Sequence, residues 1–332
     1  MANILVTGGA GYVGSVLVPS LLAKGHHVTV FDTFWFWNDE QHYSQTVGIA
    51  GNKNLRLVNG DLRNVKDIDN ALSGCDTVIH LACISNDPSS ELNAAFTHSV
   101  NYTGSVQLID AAKAAGVRRF IYASSSSVYG VKKELNVTED LPLEPLTQYS
   151  RLKIEIEHYL LHRLDEQFCG VVLRPSTVCG YSPRQRFDVI VNILTHSALT
   201  KGKITVLGGE QLRPNIHMKD MVRAYEALVD APFSKINRKV YNVGDENKTV
   251  LEIAHMVKDV IGNVTMEVMP TNDPRSYHVC SDKIRNELGF ELRHTIQEAI
   301  VELRDAIKNG KIPHLNDDRW FNVKMMKSLM QE

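Results

Sequence analysis

Residues 4–14 read Ile4-Leu5-Val6-Thr7-Gly8-Gly9-Ala10-Gly11-Tyr12-Val13-Gly14, and a helical pattern follows them. The apolar residues predict a buried strand, and the glycines predict a tight turn into the N-terminus of a helix. We expect Gly8 to permit the turn, Gly11 to let the backbone approach a diphosphate, and Gly14 to let the helix pack close to the strand. This order of elements is typical of a dinucleotide-binding unit.

A second apolar run, residues 28–31, ends at Asp32, which lies 18 positions after Gly14. In dinucleotide-binding units an acidic residue follows the glycine motif by roughly 20 positions. A carboxylate there accepts hydrogen bonds from the hydroxyls of the adenosine ribose and repels a 2′-phosphate. Asp32 therefore favours NAD over NADP as the cofactor.

The composition argues against several classes of partner. The chain has 332 residues, of which 43% are hydrophobic and 22% are charged, and its formal net charge is -2. That balance gives no electrostatic reason to expect nucleic acid or a membrane as a partner, and no apolar stretch is long enough to span a bilayer. The five cysteines are scattered and form neither a C-x-x-C pair nor a cluster with histidine. We therefore expect reduced thiols, a cytoplasmic location and no metal site.

The spacing of the apolar runs predicts the fold class. Mostly unbroken apolar strands alternate with helices in the first half, which indicates a parallel sheet covered on both faces. We predict an α/β fold, a Rossmann-type doubly wound parallel sheet, with its ligand crevice at the carboxyl ends of the strands. The predicted strands cover residues 4–6, 28–31, 55–59, 77–81, 119–124 and 171–173, and the predicted helices cover 16–24, 65–72, 94–115 and 148–168.

After residue 180 the pattern loosens, and we predict a smaller C-terminal α/β lobe that binds the substrate. Residues 1–180 would then form the dinucleotide-binding domain and residues 181–332 the smaller lobe, with some elements crossing back to the first domain. Its predicted helices cover 187–199, 220–230, 250–261 and 295–309, and its predicted strands cover 203–207 and 239–243.

Residues 34–54 interrupt the alternation of strands and helices in the first half of the chain. We expect a long loop with a short helix there, its aromatic side chains packed in the core rather than over an adenine or against a partner.

Two chemically active side chains share a predicted helix. Tyr149 and Lys153 lie four residues apart, which places them on one face of that helix. A tyrosine with a pKa of about 10 is a poor base at neutral pH, but a neighbouring ammonium lowers that pKa by favouring the phenolate. Residues 124–127 are all serine and follow a predicted strand to the edge of the crevice. Hydroxyl groups there can bind a substrate hydroxyl and share its proton with Tyr149.

These motifs together resemble the extended short-chain dehydrogenases/reductases, and within them the NAD-dependent nucleotide-sugar epimerases and dehydratases. The resemblance covers nearly the whole chain. It implies that Ser125, Tyr149 and Lys153 are the catalytic residues, with Lys153 also binding the nicotinamide ribose. It further implies that the NAD-binding set is Gly8, Gly11, Tyr12, Val13, Gly14, Asp32, Asp61, Leu62, Leu81, Ala82, Asn101, Tyr149, Lys153 and Pro175.

The same resemblance implies a nucleotide-diphosphate sugar as the substrate. Guanidinium groups suit the paired oxygens of a diphosphate. Arg184 and Arg186 are candidates for the diphosphate pocket in addition to the two arginines of the set below. Many relatives carry asparagine where this chain has Thr177, so the usual diphosphate contact at this position is open. The implied substrate-binding set is Ser125, Ser126, Ser127, Thr177, Arg213 and Arg275.

Relatives also pair two of their helices into a four-helix dimer interface, and these correspond to residues 94–115 and 148–168. The resemblance therefore implies a homodimer. The apolar residues that we place among the charges of the second helix are Ile154, Ile156, Tyr159 and Leu160.

Several reactions begin with oxidation at a sugar carbon, usually C4. An epimerase returns the hydride to the other face of a 4-keto sugar, whereas a 4-dehydrogenase or 4-ketoreductase exchanges the keto form with solution. A 4,6-dehydratase eliminates water and places Asp-Glu directly after its catalytic threonine, where this chain has Ser126 and Ser127. We favour the epimerase, keep the dehydrogenase or reductase as the alternative, and place the dehydratase third. A non-catalytic dinucleotide-binding protein comes last, because Tyr149 and Lys153 are both present.

Overall fold

The computed structural model describes residues 1–272, 276 and 278–329. Apolar runs become strands and amphipathic runs become helices, largely in the predicted order. The strands are β1 Asn3–Thr7, β2 His27–Asp32, β3 Leu55–Asn59, β4 Thr77–His80, β5 Arg119–Ala123, β6 Cys169–Pro175, β7 Thr177–Cys179, β8 Lys203–Leu207, β9 Leu212–His217, β10 Lys239–Val243, β11 Glu246–Thr249 and β12 Thr265–Met269.

The helices begin at capping residues in most cases. The α-helices are α1 Gly14–Ala23, α2 Glu40–Thr46, α3 Val65–Leu72, α4 Asp87–Ser90, α5 Ala94–His98, α6 Ser105–Ala114, α7 Gln148–Arg163, α8 Ile190–Lys201, α9 Met218–Asp230, α10 Phe233–Ile236, α11 Val250–Ile261, α12 Asp282–Leu288, α13 Ile296–Lys308 and α14 Asn322–Leu329. A π-helical turn at Ser99–Gly104 joins α5 to α6, and short 3₁₀ helices lie at Ser126–Tyr129 and Asp318–Trp320.

A seven-stranded parallel sheet combines β1 to β6 of the first half of the chain with β10 of the second half. Its strand order is β10-β6-β5-β4-β1-β2-β3, so β1 is an inner strand with β4 on one side and β2 on the other. The connections reverse direction between β1 and β4, and this switch point opens a crevice at the carboxyl ends of the strands. The predicted doubly wound fold is confirmed.

The sequence of β1 shows why the sheet is covered on both faces. Ile4 and Val6 pack into the core under α1 and α9, and Leu5 packs into the opposite core under α3, α6 and α7. All three side chains are fully buried. A strand buried on both sides must be apolar at every position, which is the pattern that residues 4–6 display.

The second half of the chain adds two small sheets, with strand orders β11-β9-β7 and β12-β8. A separate apolar core lies among α8, α11 and α13. However, β10 pairs with β6 in the large sheet, and α9 packs against α1. The chain thus crosses back to the first core after residue 217, and the division at residue 180 stays a prediction.

Several predicted elements differ in detail from the structure. The helix predicted at 94–115 is interrupted by the π-helical turn, and the strand predicted at 171–173 extends from Cys169 to Pro175. The apolar residues Ile156 and Leu160 of α7 pack into the chain's own core, so they are not surface residues available to a second chain. Within the described residues, no helix combines the length and apolarity needed to cross a membrane.

The segment between β2 and β3 contains the expected short helix, α2. Phe34 is buried in the core, and the indole nitrogen of Trp37 donates to the carbonyl oxygen of Ala10 at 2.8 Å. Core packing is therefore confirmed for these two residues. Trp35 and Phe36 instead line the crevice, which is the other role considered for this segment.

Candidate active site

A cavity of about 1110 Å³ lies at the carboxyl ends of β1, β2, β4, β5 and β6. Single small-molecule sites span about 300–1,000 Å³, so this volume suits two ligands side by side. The predicted cofactor residues on its wall are Gly8, Gly11, Tyr12, Val13, Gly14, Asp32, Asp61, Leu62, Leu81, Ala82, Tyr149, Lys153 and Pro175.

The glycine loop between β1 and α1 is packed too tightly for side chains. Gly8 has a φ of 68°, and a Cβ added there would lie 2.7 Å from the backbone nitrogen of Ala82. A Cβ at Gly14 would lie 2.5 Å from the carbonyl oxygens of Gly8 and Gly9. Among the described residues, a Cβ at Gly11 would meet one atom outside its chain neighbours, the Gly8 oxygen at 3.0 Å. Gly8 and Gly14 therefore close the turn, whereas Gly11 leaves the backbone bare toward the cavity.

Asp32 stands at the end of β2 as predicted. One carboxylate oxygen accepts the backbone N–H of Ala10 at 3.0 Å, and the other accepts that of Phe34 at 2.9 Å. Burial raises the pKa of Asp32, and these backbone N–H groups oppose that rise. The backbone N–H of Thr33 is a further donor to this carboxylate, which still has acceptor capacity to spare among its roughly four lone-pair sites.

Tyr149, Lys153 and Ser125 meet on one wall of the cavity. The Lys153 ammonium donates to the carbonyl oxygen of Ala123 at 2.6 Å and lies 5.6 Å from the centre of the Tyr149 ring. The hydroxyl groups of Ser125 and Tyr149 are hydrogen-bonded to each other. Side chains from the loop after β5 and from α7 thus converge at one place on the cavity wall.

The pKa of Tyr149 differs from the sequence-based expectation. Burial is the largest influence and raises the pKa well above 10, and the charge of Asp87 raises it further. Arg186 and the hydrogen bond to Ser125 lower it by less. The expected lowering by Lys153 is therefore outweighed by the loss of solvent around the phenol, and the protein's own side chains hold Tyr149 neutral.

A buried ion pair supports the serine run from below. Glu157 of α7 accepts two hydrogen bonds from Arg174 of β6, at 2.6 and 3.0 Å, and a further one from the Ser124 hydroxyl. Glu157 and Arg174 are 1% and 5% exposed. The backbone of Ser125 follows directly, so this pair connects the loop of residues 124–127 with α7 and β6.

The structure brings together most of the predicted substrate residues. Three serines, Thr177 and Arg213 line the cavity, the serines being Ser125, Ser126 and Ser127. Ser127 accepts a hydrogen bond from the Ser150 hydroxyl at 2.9 Å, which orients that end of the run. Arg275 lies outside the described residues.

Two predicted or considered residues take structural roles. Asn101 does not line the cavity, because its side-chain amide bonds the backbone N–H and carbonyl of Ile84 at 2.7 and 3.0 Å. It fixes the loop after β4, and its assignment to the NAD-binding set stays a prediction. His80 is also internal, with its ring between the hydroxyls of Thr7 and Ser105, and burial lowers its pKa to about 3.

Sequence reasoning missed the contribution of the C-terminal segment. Five residues of this segment reach the cavity, and Asn322 among them is 5% exposed; the five are Phe321, Asn322, Val323, Lys324 and Met326. Phe36 and Asp188 also belong to the wall. The last helix buries Asn322 and Met326, but nothing local in the sequence indicates which surface that face covers.

The family model of the NAD dependent epimerase/dehydratase family matches residues 4–244. The chain belongs to this family. It is therefore an NAD-dependent enzyme of the epimerase and dehydratase kind, and the resemblance drawn from the motifs is confirmed.

Individual relatives carry more than one activity. A UDP-glucose 4-epimerase of Corynebacterium glutamicum is 28% identical over 319 residues, covering 90% of this chain and 94% of that protein. A dTDP-glucose 4,6-dehydratase of Streptomyces niveus is also 28% identical, over 93% of this chain and 94% of its own. The structure of UDP-glucuronic acid 4-epimerase from Bacillus cereus, in complex with UDP-glucuronic acid and NAD, superposes with a TM-score of 0.81 at 28% identity. That match covers 92% of this chain and 99% of the other. Overall similarity thus shows the family but does not distinguish between the reactions, which must be argued from the residues of the site.

Proposed function

We propose that this protein is a nucleotide-sugar 4-epimerase that works through a transient 4-keto sugar. The observation that carries the proposal is the convergence of Ser125, Tyr149 and Lys153 on the cavity that also holds the glycine loop and Asp32. One cavity therefore places a hydroxyl-activating group beside a dinucleotide site, as reversible oxidation of an alcohol requires.

The residues present fit NAD. The bare backbone at Gly11 opens onto the cavity at the N-terminus of α1, where the helix dipole favours a diphosphate. Asp32 lines the cavity and keeps acceptor capacity for a ribose hydroxyl beyond its bonds to backbone N–H groups. NAD bound in this crevice supplies the hydride acceptor, and the positive charge of its oxidised nicotinamide counteracts the burial that raises the pKa of Tyr149.

Each catalytic side chain then has one task. Tyr149 takes the proton of the sugar hydroxyl and later returns it. Ser125 hydrogen-bonds Tyr149 and shares that proton. Lys153 is held by the Ala123 carbonyl at a distance that lets its charge favour the phenolate.

The serine run favours epimerisation over dehydration. Elimination of water from a 4-keto sugar needs an acid and a base beside the catalytic residue, and this chain has Ser126 and Ser127 there. The similarity to a dehydratase equals that to the Corynebacterium epimerase, so these two positions carry the distinction.

Two UDP-sugars are the first substrates to test. Relatives are named for UDP-glucose and UDP-glucuronic acid, and Arg213 on the cavity wall suits a nucleotide diphosphate. A 4-dehydrogenase or 4-ketoreductase is the second candidate, because Thr177 stands where many relatives carry asparagine and so alters the substrate wall.

The test measures both the bound small molecules and turnover. Mass spectrometry of the denatured protein should release close to one NAD per chain, and each UDP-sugar should be scanned for its 4-epimer without added cofactor. Tyr149→Phe should lower the rate by about 10²–10⁴-fold, the usual contribution of one positioned acid–base group. The matched control is Tyr159→Phe on the same helix, whose hydroxyl bonds Asp110 at 2.7 Å at the surface.

The outcomes separate the candidate functions. Formation of the 4-epimer with retained NAD supports the epimerase. Net consumption of added NAD or NADH with a keto sugar assigns the dehydrogenase or reductase instead, and a 4-keto-6-deoxy product assigns the dehydratase. Full activity of the Tyr149 variant would disprove the proposed mechanism.

We also propose that the enzyme is a homodimer through α6 and α7. Because Ile156 and Leu160 pack inside the chain, the contacts of α7 would come from Ile154 and Tyr159, which are partly exposed. Light scattering after gel filtration tests this, and a monomer at micromolar concentration would refute it.

A further inference from the structure

Arg184 is a buried cation in the loop between β7 and α8. Its side chain is 2% exposed, and its guanidinium lies 3.5 Å above the centre of the Phe36 ring. One terminal nitrogen donates to the Asn322 side-chain oxygen at 2.6 Å, and Nε has no hydrogen-bond partner in the part of the chain that the structure describes. The residue also belongs to the wall of the active-site cavity.

The charge of Arg184 is not balanced by an ion pair within the described residues. Arg186, two positions later, donates to Asp188 at 2.9 Å. Arg184 makes no such contact, and burial lowers its pKa to about 9. A buried and unpaired guanidinium is costly, so its retention beside a cavity indicates an anion that binds there.

The position of Arg184 indicates which anion that is. Its guanidinium lies over Phe36 in the loop after β2, the strand that ends at Asp32. Asn322 joins it to Ser85 in the loop after β4. In the sheet β1, whose end leads into the glycine loop, lies between β2 and β4. Tyr12 of the glycine loop is an electrostatic neighbour of Arg184. Arg184 thus lies between the two ends of the dinucleotide site, which is the stretch that a diphosphate must cross.

We propose that Arg184 binds the diphosphate of the dinucleotide, and that Asn322 of the C-terminal segment holds the guanidinium in place for it. The proposal rests on NAD as the cofactor and adds a contact from beyond the glycine loop. Arg184 would supply two forked N–H donors and a full charge to a group that the loop binds through backbone N–H groups alone.

The contacts of Asn322 make it suitable as a support. Its amide nitrogen donates to the Ser85 hydroxyl at 2.7 Å, and its backbone N–H donates to Asp188 at 3.1 Å. Farther along α14, Met326 packs in a small apolar cluster with Ile84. The C-terminal segment therefore spans the loop after β4 and the loop before α8, and it would retain the cofactor during turnover.

The test compares ligands that differ by a diphosphate. Titrations of ADP, adenosine and UDP into the wild type, Arg184→Gln and Asn322→Ala measure each affinity, and mass spectrometry measures NAD per chain at purification. We expect Arg184→Gln to weaken ADP binding by about 10- to 100-fold, the usual worth of charged hydrogen bonds, and to leave adenosine within about 2-fold. NAD per chain should fall in parallel, and Asn322→Ala should shift ADP in the same direction by less.

Control variants separate a binding role from a structural one. Arg184→Lys keeps the charge and loses the fork, so its ADP affinity should fall between those of the wild type and the glutamine variant. Asp32→Asn should weaken ADP and adenosine equally. Circular dichroism at the assay temperature checks that each variant is folded.

Several results would overturn the proposal. If Arg184→Gln lost equal affinity for ADP and for adenosine, the residue would support Phe36 and the adenosine end of the site rather than bind the diphosphate. An unchanged affinity for ADP would show that Arg184 does not bind the diphosphate. A loss for UDP alone would assign Arg184 to the substrate diphosphate. A wild type that binds ADP through Arg184 but epimerises no sugar would refute the proposed reaction and leave this contact intact.

Discussion

Glu157 and Arg174 form an ion pair beneath the catalytic loop, and its removal gives a sharp test of the structure. Glu157→Ala leaves the guanidinium of Arg174, which is 5% exposed, without its two carboxylate hydrogen bonds. Breaking one side of a buried pair costs about 3–5 kcal/mol. With a urea slope of about 3 kcal/mol per molar for a chain of this size, a loss of about 4 kcal/mol lowers the unfolding midpoint by about 1.3 M.

We expect a different change in the free energy of unfolding for the double variant Glu157→Leu with Arg174→Met. Apolar side chains of similar volume remove both charges, and such replacements are often neutral or stabilising. We therefore expect the double variant to be more stable than either single variant, with a coupling free energy of about 2 kcal/mol or more. Urea unfolding followed by circular dichroism measures the wild type, Glu157→Leu, Arg174→Met and the double variant as one cycle, with Glu157→Ala beside them.

The pair also affects catalysis through Ser124. Because the Ser124 hydroxyl donates to Glu157, losing that carboxylate releases the backbone that carries Ser125. The turnover rate should fall in the double variant even where stability recovers, while the affinity for NAD should change little. The reasoning would be refuted if the two single variants lost unfolding free energies that simply add up in the double variant. A loss of less than about 1 kcal/mol in a single variant would also refute it.

Three further predictions concern the cofactor loop, the lysine and a buried histidine. Lys153→Met removes the cation 5.6 Å from the Tyr149 ring and should shift the rise of activity to higher pH, which a pH–rate profile measures; an unshifted profile would contradict the role of Lys153. Gly14→Ala forces a contact of 2.5 Å with backbone oxygens and should cost about 1–3 kcal/mol, whereas Gly11→Ala should spare the melting temperature and lower NAD per chain; similar melting temperatures for the two would argue against the packing described. Because its folded pKa of about 3 lies below the reference value of 6.5, His80 stabilises the fold fully above pH 6.5 and loses that contribution as the pH falls toward 3, at up to about 1.4 kcal/mol per pH unit. Unfolding curves at pH 7 and 5 should show this loss in the wild type and less of it in His80→Gln, and equal losses would refute it.

The sequence by itself determined those features of this protein whose signal lies within a short stretch of the chain. The apolar run at residues 4–6 and the glycines that follow predicted an inner strand and a tight turn, and the structure confirms both. It also places Asp32 at the end of β2, while its role toward a ribose stays a prediction. Tyr149 and Lys153 were found by their helical spacing. Each of these signals lies within about 20 residues, so neighbouring side chains suffice to specify it.

Short polar strands escaped prediction for the same reason. The strand β9, Leu212–His217, contains a proline and lies in a three-stranded sheet of small area, so it shows neither alternation nor an apolar run. Its conformation is stabilised by pairing with β7 and β11 rather than by its own residues. The direction of the Tyr149 pKa also depends on burial, which the spacing of two residues does not reveal.

The tertiary structure alone decided which distant polar groups meet. Arg184 and Asn322 are 138 positions apart, and Asn322 and Ser85 are 237 positions apart, yet one buried asparagine joins all three segments. No periodic pattern connects such positions, because each contact follows from how separately formed elements pack around a common cavity. The sequence therefore determined the chemistry that the site carries, and the packing of remote segments decided how that site is closed and which charges it leaves for a ligand.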